Sequence, residues 1–164
     1  MNNAPAREIT VIINKLVSFF DLINDYAESH EKSFTDLLSQ SDKHDYKFIL
    51  TKNLMLSEIH VIDCIGKRQL PNATFIAKEL SMTKGAISKI TSKLLEKELI
   101  KANHLEDNRK EIYYTLTAPG KKIYEIHKQL HDLENERIIA ILTQYGKDEL
   151  QVIGNFLDDL LTKL

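Results

Sequence analysis

Residues 72–97, NATFIAKELSMTKGAISKITSKLLEK, decide the fold. Asn72 and Thr83 are good N-cap residues, and each precedes apolar positions at helical spacing. The pattern predicts a short helix over residues 73–80 and a second helix over residues 84–97, joined by a tight turn. Two short capped helices separated by three or four residues are typical of a helix-turn-helix.

The sequence after this pair predicts a β-hairpin, or wing. Residues 99–103 and 111–117 read as strands, and the second alternates apolar and polar side chains. Polar residues 104–110 form the expected loop between them. Thr117 is expected to cap a following helix, with Pro119 in its first turn. The expected fold class is therefore mainly α, with an α+β element in the small wing hairpin.

Apolar periodicity also predicts the flanking elements. The expected helices are residues 8–29, 54–66, 118–144 and 147–164, with a polar linker that contains about one helical turn over residues 30–48. Gly66 is expected as the C′ residue of its helix. The first helix carries an apolar surface too broad for one partner helix, so we expect a dimer to bury it.

Composition excludes several classes of protein. The 164 residues are 43% hydrophobic and 28% charged, which is typical of one globular domain. No apolar run reaches the about 18 residues of a membrane span, and no signal-peptide pattern opens the chain. A single cysteine, Cys64, fits a reducing compartment, so we expect a cytoplasmic protein without a membrane partner. No nucleophile–base pair, glycine-rich phosphate loop or HExxH motif points to an enzyme.

The net charge of −2 conceals a basic segment. Residues 84–110 contain seven Lys or Arg and four Asp or Glu, which suits contact with phosphates. Small and basic side chains on the second helix permit close approach to a major groove. An arginine at the hairpin tip, Arg109, can enter a minor groove, with Asp107 placed to hold its guanidinium. The residues expected to contact DNA are Thr83, Lys84, Gly85, Ser88, Lys89, Ser92, Lys93, Asp107, Arg109 and Lys110.

The run LPNATFIAKELSMTKGAISKITSKLLEKELI, followed by EDNRKEIYYTLTAPGKK, resembles the MarR family of bacterial regulators. This resemblance implies a single domain over residues 1–164. Residues 1–48 and 118–164 would form a dimerisation scaffold, and residues 54–117 a winged DNA-binding lobe. The implied function is sequence-specific transcriptional regulation, as a repressor, by a homodimer on a pseudopalindromic site in double-stranded DNA.

A histidine pair indicates a metal site. His127 and His131 are spaced i, i+4 on the predicted long helix, so both imidazoles emerge on one face and can share one ion. His60 lies on the helix before the helix-turn-helix, and Glu31 follows the first helix. Neutral imidazoles with one carboxylate form a tetrahedral, zinc-type set. The alternative is that the pair lies on the surface without a ligand.

Two further stretches, SEIHVIDCI and EIHKQLH, resemble the zinc-sensing branch of the same family. That resemblance implies a regulatory Zn²⁺ at Glu31, His60, His127 and His131, acting as a corepressor. The branch has a secondary site with a cysteine and acidic residues. This chain has apolar residues there, such as Ile59 and Ile126, so we do not expect that second site.

Other effectors stay open. Many MarR-like proteins release DNA when a phenolic or other small organic ligand enters a crevice, and the aromatic candidates here are Tyr26, Phe34, Tyr46 and Phe48. Cys64 could substitute as a metal ligand or sense oxidants, although a buried hydrophobic role is favoured. A winged-helix interaction module that binds no DNA is the remaining alternative.

Overall fold

The computed structural model describes residues 4–40, 49, 52–106 and 108–163. Its helices and strands, numbered here in chain order, are α1 Ala4–Ser39, α2 Leu56–Lys67, α3 Ala73–Glu79, α4 Lys84–Glu96, β1 Ile100–Leu105, β2 Asn108–Leu116, α5 Ala118–Leu142 and α6 Lys147–Lys163. The expected fold class, mainly helical with a small wing, is confirmed. Within the described part of the chain, no helix is long and apolar enough to cross a membrane.

The first helix is longer than its sequence pattern suggested. It continues to Ser39, so the linker predicted for residues 30–48 is wrong over residues 30–39. His30, Phe34 and Leu38 are buried on one face, and their i, i+4, i+8 spacing lines them up along the helix. Leu37 is partly buried beside this stripe, and the polar residues around it give the segment the pattern of a linker. Residues 41–48 lie outside the described residues.

The helix-turn-helix forms where the sequence predicts it. Asn72 Oδ1 accepts a hydrogen bond from Phe75 N at 2.8 Å, which caps α3. Thr83 Oγ1 accepts one from Ala86 N at 3.2 Å, which caps α4. Behind these caps lie the fully buried side chains of the lobe's core, namely Ile62, Ile76, Ile87, Leu94 and Leu99. Burial of this kind stabilises the lobe by roughly 1.5–3 kcal/mol for each large aliphatic side chain.

The wing is an antiparallel hairpin that docks on the helices. Ile100 pairs with Leu116 and Ala102 with Tyr114, with an irregularity near the tip. Tyr114 is buried, and its backbone N–H donates to Pro71 O at 3.0 Å. The hairpin is therefore anchored near its base.

Two glycines allow close packing between elements. Gly66 lies inside the last turn of α2 without a positive φ, so the expected C′ role is wrong. A Cβ at Gly66 would come within 2.5 Å of the Tyr124 ring on α5. A Cβ at Gly120 would overlap the carbonyl oxygen of Leu99. Both glycines hold α5 close against the winged lobe.

The long helix α5 joins the lobe to the rest of the molecule. Thr117 caps it by accepting a hydrogen bond from Gly120 N at 3.2 Å, as the sequence predicts, and its hydroxyl donates to Glu98 O at 2.8 Å. Ile123, Ile126, His127 and Leu130 form its buried face. This face packs against α1 and α2, so three helices meet around His127.

Candidate DNA-binding surface and candidate metal centre

The outer face of α4 is exposed and carries small or basic side chains. Within the lobe, α4 is held by Ile87, Thr91 and Leu94, which are buried. The side chains expected to contact DNA from this helix and its N-cap are all exposed, namely Thr83, Lys84, Gly85, Ser88, Lys89, Ser92 and Lys93. The structure therefore collects them on one solvent-facing surface.

Of the three wing residues expected to contact DNA, the structure describes the side chain of Lys110. Lys110 is exposed on β2. Asp107 lies outside the described residues, as does the side chain of Arg109, whose backbone belongs to β2. The expected roles of Asp107 and Arg109 thus stay predictions.

Gly85 has no packing reason within the described part of the chain. A Cβ built there meets no atom within 4 Å. The residue has an ordinary helical φ, since no glycine has a positive φ among the described residues. Glycine costs roughly 1 kcal/mol of helix stability relative to alanine. The bare backbone at Gly85 is therefore available to an external partner that approaches α4 closely.

A buried ion pair, which the sequence analysis missed, fixes the end of α4. Lys97, the C-cap residue of α4, donates to Glu58 Oε2 at 2.7 Å and to Asn53 O at 3.2 Å. The same Glu58 oxygen accepts a hydrogen bond from Met55 N at 2.9 Å. Glu58 is only 1% exposed, so loss of Lys97 would leave a buried charge uncompensated. The pair holds the end of α4 to the start of α2.

Three histidines from two helices come together beside the lobe. One potential ligand atom from each of His30, His127 and His131 lies within 4.8 Å of the other two. The ring centroids of His127 and His131 are 4.4 Å apart, and that of His30 is 5.2 Å from His127. Side-chain rotations would bring these atoms to the about 3.4 Å nitrogen spacing of a tetrahedral zinc site.

His60 stands next to this group on a third helix. Its ring centroid is 5.5 Å from that of His127 and 6.1 Å from that of His30. It lies outside the tight group of three found among the described residues. The Glu31 side chain lies outside the described residues, so its expected role as a ligand stays a prediction. We refer to His30, His60, His127 and His131 together as the histidine cluster.

His30 is the member that sequence reasoning did not include. The sequence pattern predicts a linker at His30, so the residue belongs to no predicted helical face. The available signal was the spacing of His30, Phe34 and Leu38, which continues the helix by two turns. With α1 extended, His30 turns inward and is 4% exposed.

Carboxylates support two of the cluster's imidazoles. Asp63 Oδ1 lies 3.4 Å from His127 Nδ1, and Asp63 Oδ2 lies 2.6 Å from Lys67 Nζ. Burial opposes ionisation of Asp63, but its contacts with His127 and Lys67 outweigh that cost and lower its pKa. Glu134 Oε2 lies 3.1 Å from His131 Nδ1.

The surroundings of His30 and His60 favour neutral rings. Burial lowers the pKa of His30, and the neighbouring histidines lower it further against the opposing effect of Glu134. Burial also lowers the pKa of His60, with His127 acting in the same direction. A neutral imidazole is the form that binds a metal.

His127 has a buried ring nitrogen that is available to a metal ion. This residue is 1% exposed, and its Nε2 has no hydrogen-bond partner within the described part of the chain. A buried polar atom without a partner normally costs about 1–3 kcal/mol. A ligand bond to Nε2 would remove that cost, so the donor set fits a borderline divalent ion such as Zn²⁺.

The environment of Cys64 supports neither a metal-ligand role nor an oxidant-sensing role for this residue. Cys64 is buried, and burial raises the pKa of its thiol to about 11. A redox sensor needs a lowered pKa and access to solvent. Cys64 also stands outside the ligand group found among the described residues. Its role is that of a small hydrophobic side chain.

Of the aromatic residues expected to line a ligand crevice, Phe34 packs into the hydrophobic core. The side chains of Tyr26, Tyr46 and Phe48 lie outside the described residues.

The fold is shared with a protein of known structure. ZitR of Lactococcus lactis, a zinc-responsive MarR family member, is 22% identical to this chain, with a TM-score of 0.61 over 67% of this chain and 76% of ZitR. ZitR has also been solved in complex with DNA. At this identity the likeness shows the fold alone.

Sequence comparison identifies relatives in Bacillus subtilis strain 168. The uncharacterised HTH-type transcriptional regulator YhjH is 36% identical over 110 residues, which are 67% of this chain and 63% of YhjH. The chain thus spans a little under two thirds of the length of that relative. The uncharacterised HTH-type transcriptional regulator YvnA is 34% identical over 116 residues, 71% of this chain and 72% of YvnA. The MarR family model matches residues 54–112. The chain belongs to the MarR family.

Proposed function

We propose that this chain is a homodimeric, DNA-binding transcriptional repressor whose affinity for its operator is raised by a zinc ion bound at the histidine cluster. The observation that carries the zinc proposal is the convergence of four histidines from three helices. In this proposal residues 1–48 and 118–164 form the dimer scaffold, and residues 54–117 form the DNA-binding lobe. ZitR, described as zinc-responsive, provides a precedent on the same fold.

A second copy of the chain is the proposed cover for the apolar helices. Among the described residues, α6 buries no side chain. Its large apolar side chains are therefore left in solvent: Val152, Phe156 and Leu157 are 67%, 40% and 49% exposed. The N-terminal half of α1 exposes a comparable apolar surface, which includes Phe19, Phe20 and Leu22. Monomeric proteins rarely expose so large an apolar patch. A homodimer would bury both helices and place two α4 helices on one side.

DNA binding rests on the surface of α4. Lys84, Lys89 and Lys93 are exposed around the bare backbone of Gly85. Lysines at such positions neutralise phosphates, while small side chains let the helix approach base edges. A winged lobe that served only in protein interactions would not require this combination of charge and open backbone.

The histidine cluster sits where the scaffold and the lobe meet. When bound, a zinc ion would cross-link the helices that supply its ligands. His30 and His127 belong to scaffold helices, and His60 belongs to α2. On the next turns of α2, Val61, Ile62 and Ile65 are buried in the core of the lobe. Drawing His60 toward His127 would therefore fix how the lobe projects from the scaffold.

The energy required for such control is modest. A preference of about 3 kcal/mol for the DNA-competent arrangement shifts the equilibrium about a hundredfold. Several metal–imidazole bonds can supply this difference if they form fully in only one arrangement. Since only that arrangement has the operator-compatible spacing, zinc would act as a corepressor.

The test is metal content followed by DNA affinity. Protein purified without chelator is expected to carry one zinc per chain, and removal of zinc is expected to weaken operator binding by at least tenfold. His127→Ala should bind DNA like the chelated wild type, whereas Gln129→Ala, on an exposed position of the same helix, should retain the zinc response. If neither chelator nor His127→Ala changes DNA affinity, the zinc proposal fails.

A small organic effector is the second candidate, because the chain also contains a suitable cavity. A cavity of about 490 Å³ lies between α2, β2 and α5. Tyr114 and Tyr124 line it together with Arg68 and Lys121, which suits an aromatic anion. Titration of salicylate into the protein–DNA complex separates the candidates, since a zinc-only regulator would not release DNA.

A further inference from the structure

We propose that Asp63 is a positioning residue, whose carboxylate holds His127 with Nδ1 protonated and Nε2 free to bind the metal. Glu134 performs the same task for His131. The inference rests on the proposed metal function, and it identifies residues outside the ligand set that determine how well the site binds.

The geometry of Asp63 and His127 carries the argument. Asp63 Oδ1 and His127 Nδ1 are both buried, and neither has a hydrogen-bond partner in the described part of the chain. They face each other at 3.4 Å, slightly beyond the usual length of an N–H···O bond. A small rotation of either side chain would let Nδ1–H donate to Oδ1, which would satisfy both atoms.

This arrangement determines the tautomer of His127. A neutral imidazole carries one proton, so a donor at Nδ1 leaves Nε2 as the acceptor. Metal-bound histidines commonly donate their other N–H to a carboxylate in this way. The other ring nitrogen, Nε2, has no hydrogen-bond partner among the residues that the structure describes, and it is thus left with a lone pair for the metal.

Lys67 holds the second oxygen of the same carboxylate. Its Nζ lies 2.6 Å from Asp63 Oδ2, one turn along α2. The two oxygens of Asp63 therefore face different partners, which restricts rotation of the carboxylate. Lys67 is 57% exposed while Asp63 is 12% exposed, so the lysine lies over the outer side of the acid.

Glu134 makes a similar contact on the other side of the cluster. Its Oε2 lies 3.1 Å from His131 Nδ1, and both residues belong to α5. Asp63 differs because it reaches His127 from another helix. Since His60 lies three residues before Asp63, α2 presents both an imidazole and an orienting carboxylate to the cluster.

The first measurement determines the tautomer of His127, and zinc binding is measured afterwards. In zinc-free wild type, ¹⁵N NMR of the histidine rings is expected to show His127 protonated at Nδ1. Asp63→Asn should remove that preference, because an amide can donate as well as accept. Asp132→Asn is the matched control, since Asp132 is an exposed acid on α5 with Lys128 as its ion-pair partner. An Nε2–H tautomer in the wild type would overturn the proposal even if Asp63→Asn failed to fold.

Zinc affinity provides the second readout. Asp63→Asn is expected to bind zinc about 10–100-fold more weakly, the usual cost of losing such a carboxylate. Asp63→Glu should restore part of the affinity, and Asp132→Asn should match the wild type. A folded Asp63→Asn protein with unchanged zinc affinity would overturn the positioning role. Absence of zinc binding by the wild type would instead overturn the proposed function, while the tautomer measurement still decides the role of Asp63.

Discussion

The exposed face of α4 and the histidine cluster are built in opposite ways. The exposed face of α4 comes from 13 consecutive residues, and it leaves lysine side chains and the backbone at Gly85 open to solvent. The cluster gathers side chains from α1, α2 and α5, and at its centre the ring nitrogens of His127 are buried without a hydrogen-bond partner among the described residues. One site depends on local helix periodicity, and the other depends on how three helices pack. Variants of the α4 surface should therefore change DNA binding without changing zinc affinity, whereas variants of the cluster should change zinc affinity first and DNA binding only through it.

The largest effect is expected from breaking the dimer. Leu157→Glu would place a charge on the apolar face of α6, where burial in an interface would be costly. We expect a monomer by sedimentation velocity and a loss of operator affinity of about a hundredfold or more, because one winged lobe alone reads only half a site.

Asn155→Glu is the control for this variant. It adds the same charge at an exposed position of α6 and should leave the dimer intact. A dimeric Leu157→Glu protein would show that α6 does not form the interface, and the shared scaffold would have to be sought elsewhere.

Two glycines test the contrast between packed and open regions. Gly120→Ala would force a Cβ against the Leu99 carbonyl, and overpacking of this kind costs about 1–3 kcal/mol of stability. Gly85→Ala should keep or raise stability by up to about 1 kcal/mol, yet weaken DNA binding by crowding the groove. Urea unfolding and an operator titration measure both effects. Equal loss of stability in the two variants would contradict the open environment of Gly85.

The local site was the more predictable of the two from sequence. The starts of three helices could be predicted from Asn72, Thr83 and Thr117. An N-cap residue needs only its own side chain and the backbone amides just after it. The wing and the exposed lysines follow from periodicity within short windows. The ion pair between Glu58 and Lys97 could not be predicted, since nothing in either segment identifies its partner 39 residues away.

The cluster was predictable only in part. His127 and His131 share a helical face whatever the tertiary fold, so their proximity could be expected from spacing. His30 required the correct length of α1, and an error of ten residues removed it from consideration. Asp63 required knowledge of how α2 packs on α5. Prediction of a site that is assembled from several helices requires knowledge of how the helices pack, and the patterns in a single sequence do not contain this information.

A smaller effect is expected from one phosphate contact. Lys89→Ala should weaken binding uniformly across DNA sequences and reduce the slope of log affinity against log salt by about 1. Zinc affinity should not change, because Lys89 lies on the exposed face of α4. Lys128→Ala, which removes an exposed lysine from α5, is the control and should keep the full slope. An unchanged slope for Lys89→Ala would exclude this lysine from the interface.

The smallest effect concerns the pH dependence of stability in the metal-free protein. His30 and His60 have pKa values lowered from the ordinary 6.5, chiefly by burial. As the pH falls below about 6.5, the unfolded chain therefore takes up protons that the folded chain resists, and the free energy of unfolding decreases. Asp63 has a lowered pKa from an ordinary value of 3.8, so the stability it contributes is lost only below that pH. On acidification, the loss of stability caused by His30 and His60 should thus come before the loss caused by Asp63. We call the pH range of the first loss the histidine window.

Urea unfolding between pH 7.5 and 5.0, in the presence of chelator, isolates the histidine window. The curve of stability against pH should flatten in His60→Gln, because one of the two resisting groups has gone, and should keep its wild-type slope in His104→Gln on the exposed wing. The groups that face His60 across this range are His127, His131, Asp63 and Lys67. A flat wild-type curve would mean that the folded chain accepts protons on these rings as readily as the unfolded chain. His30 and His60 would then not be held neutral for a metal, whereas the α4 surface would be untouched by that result.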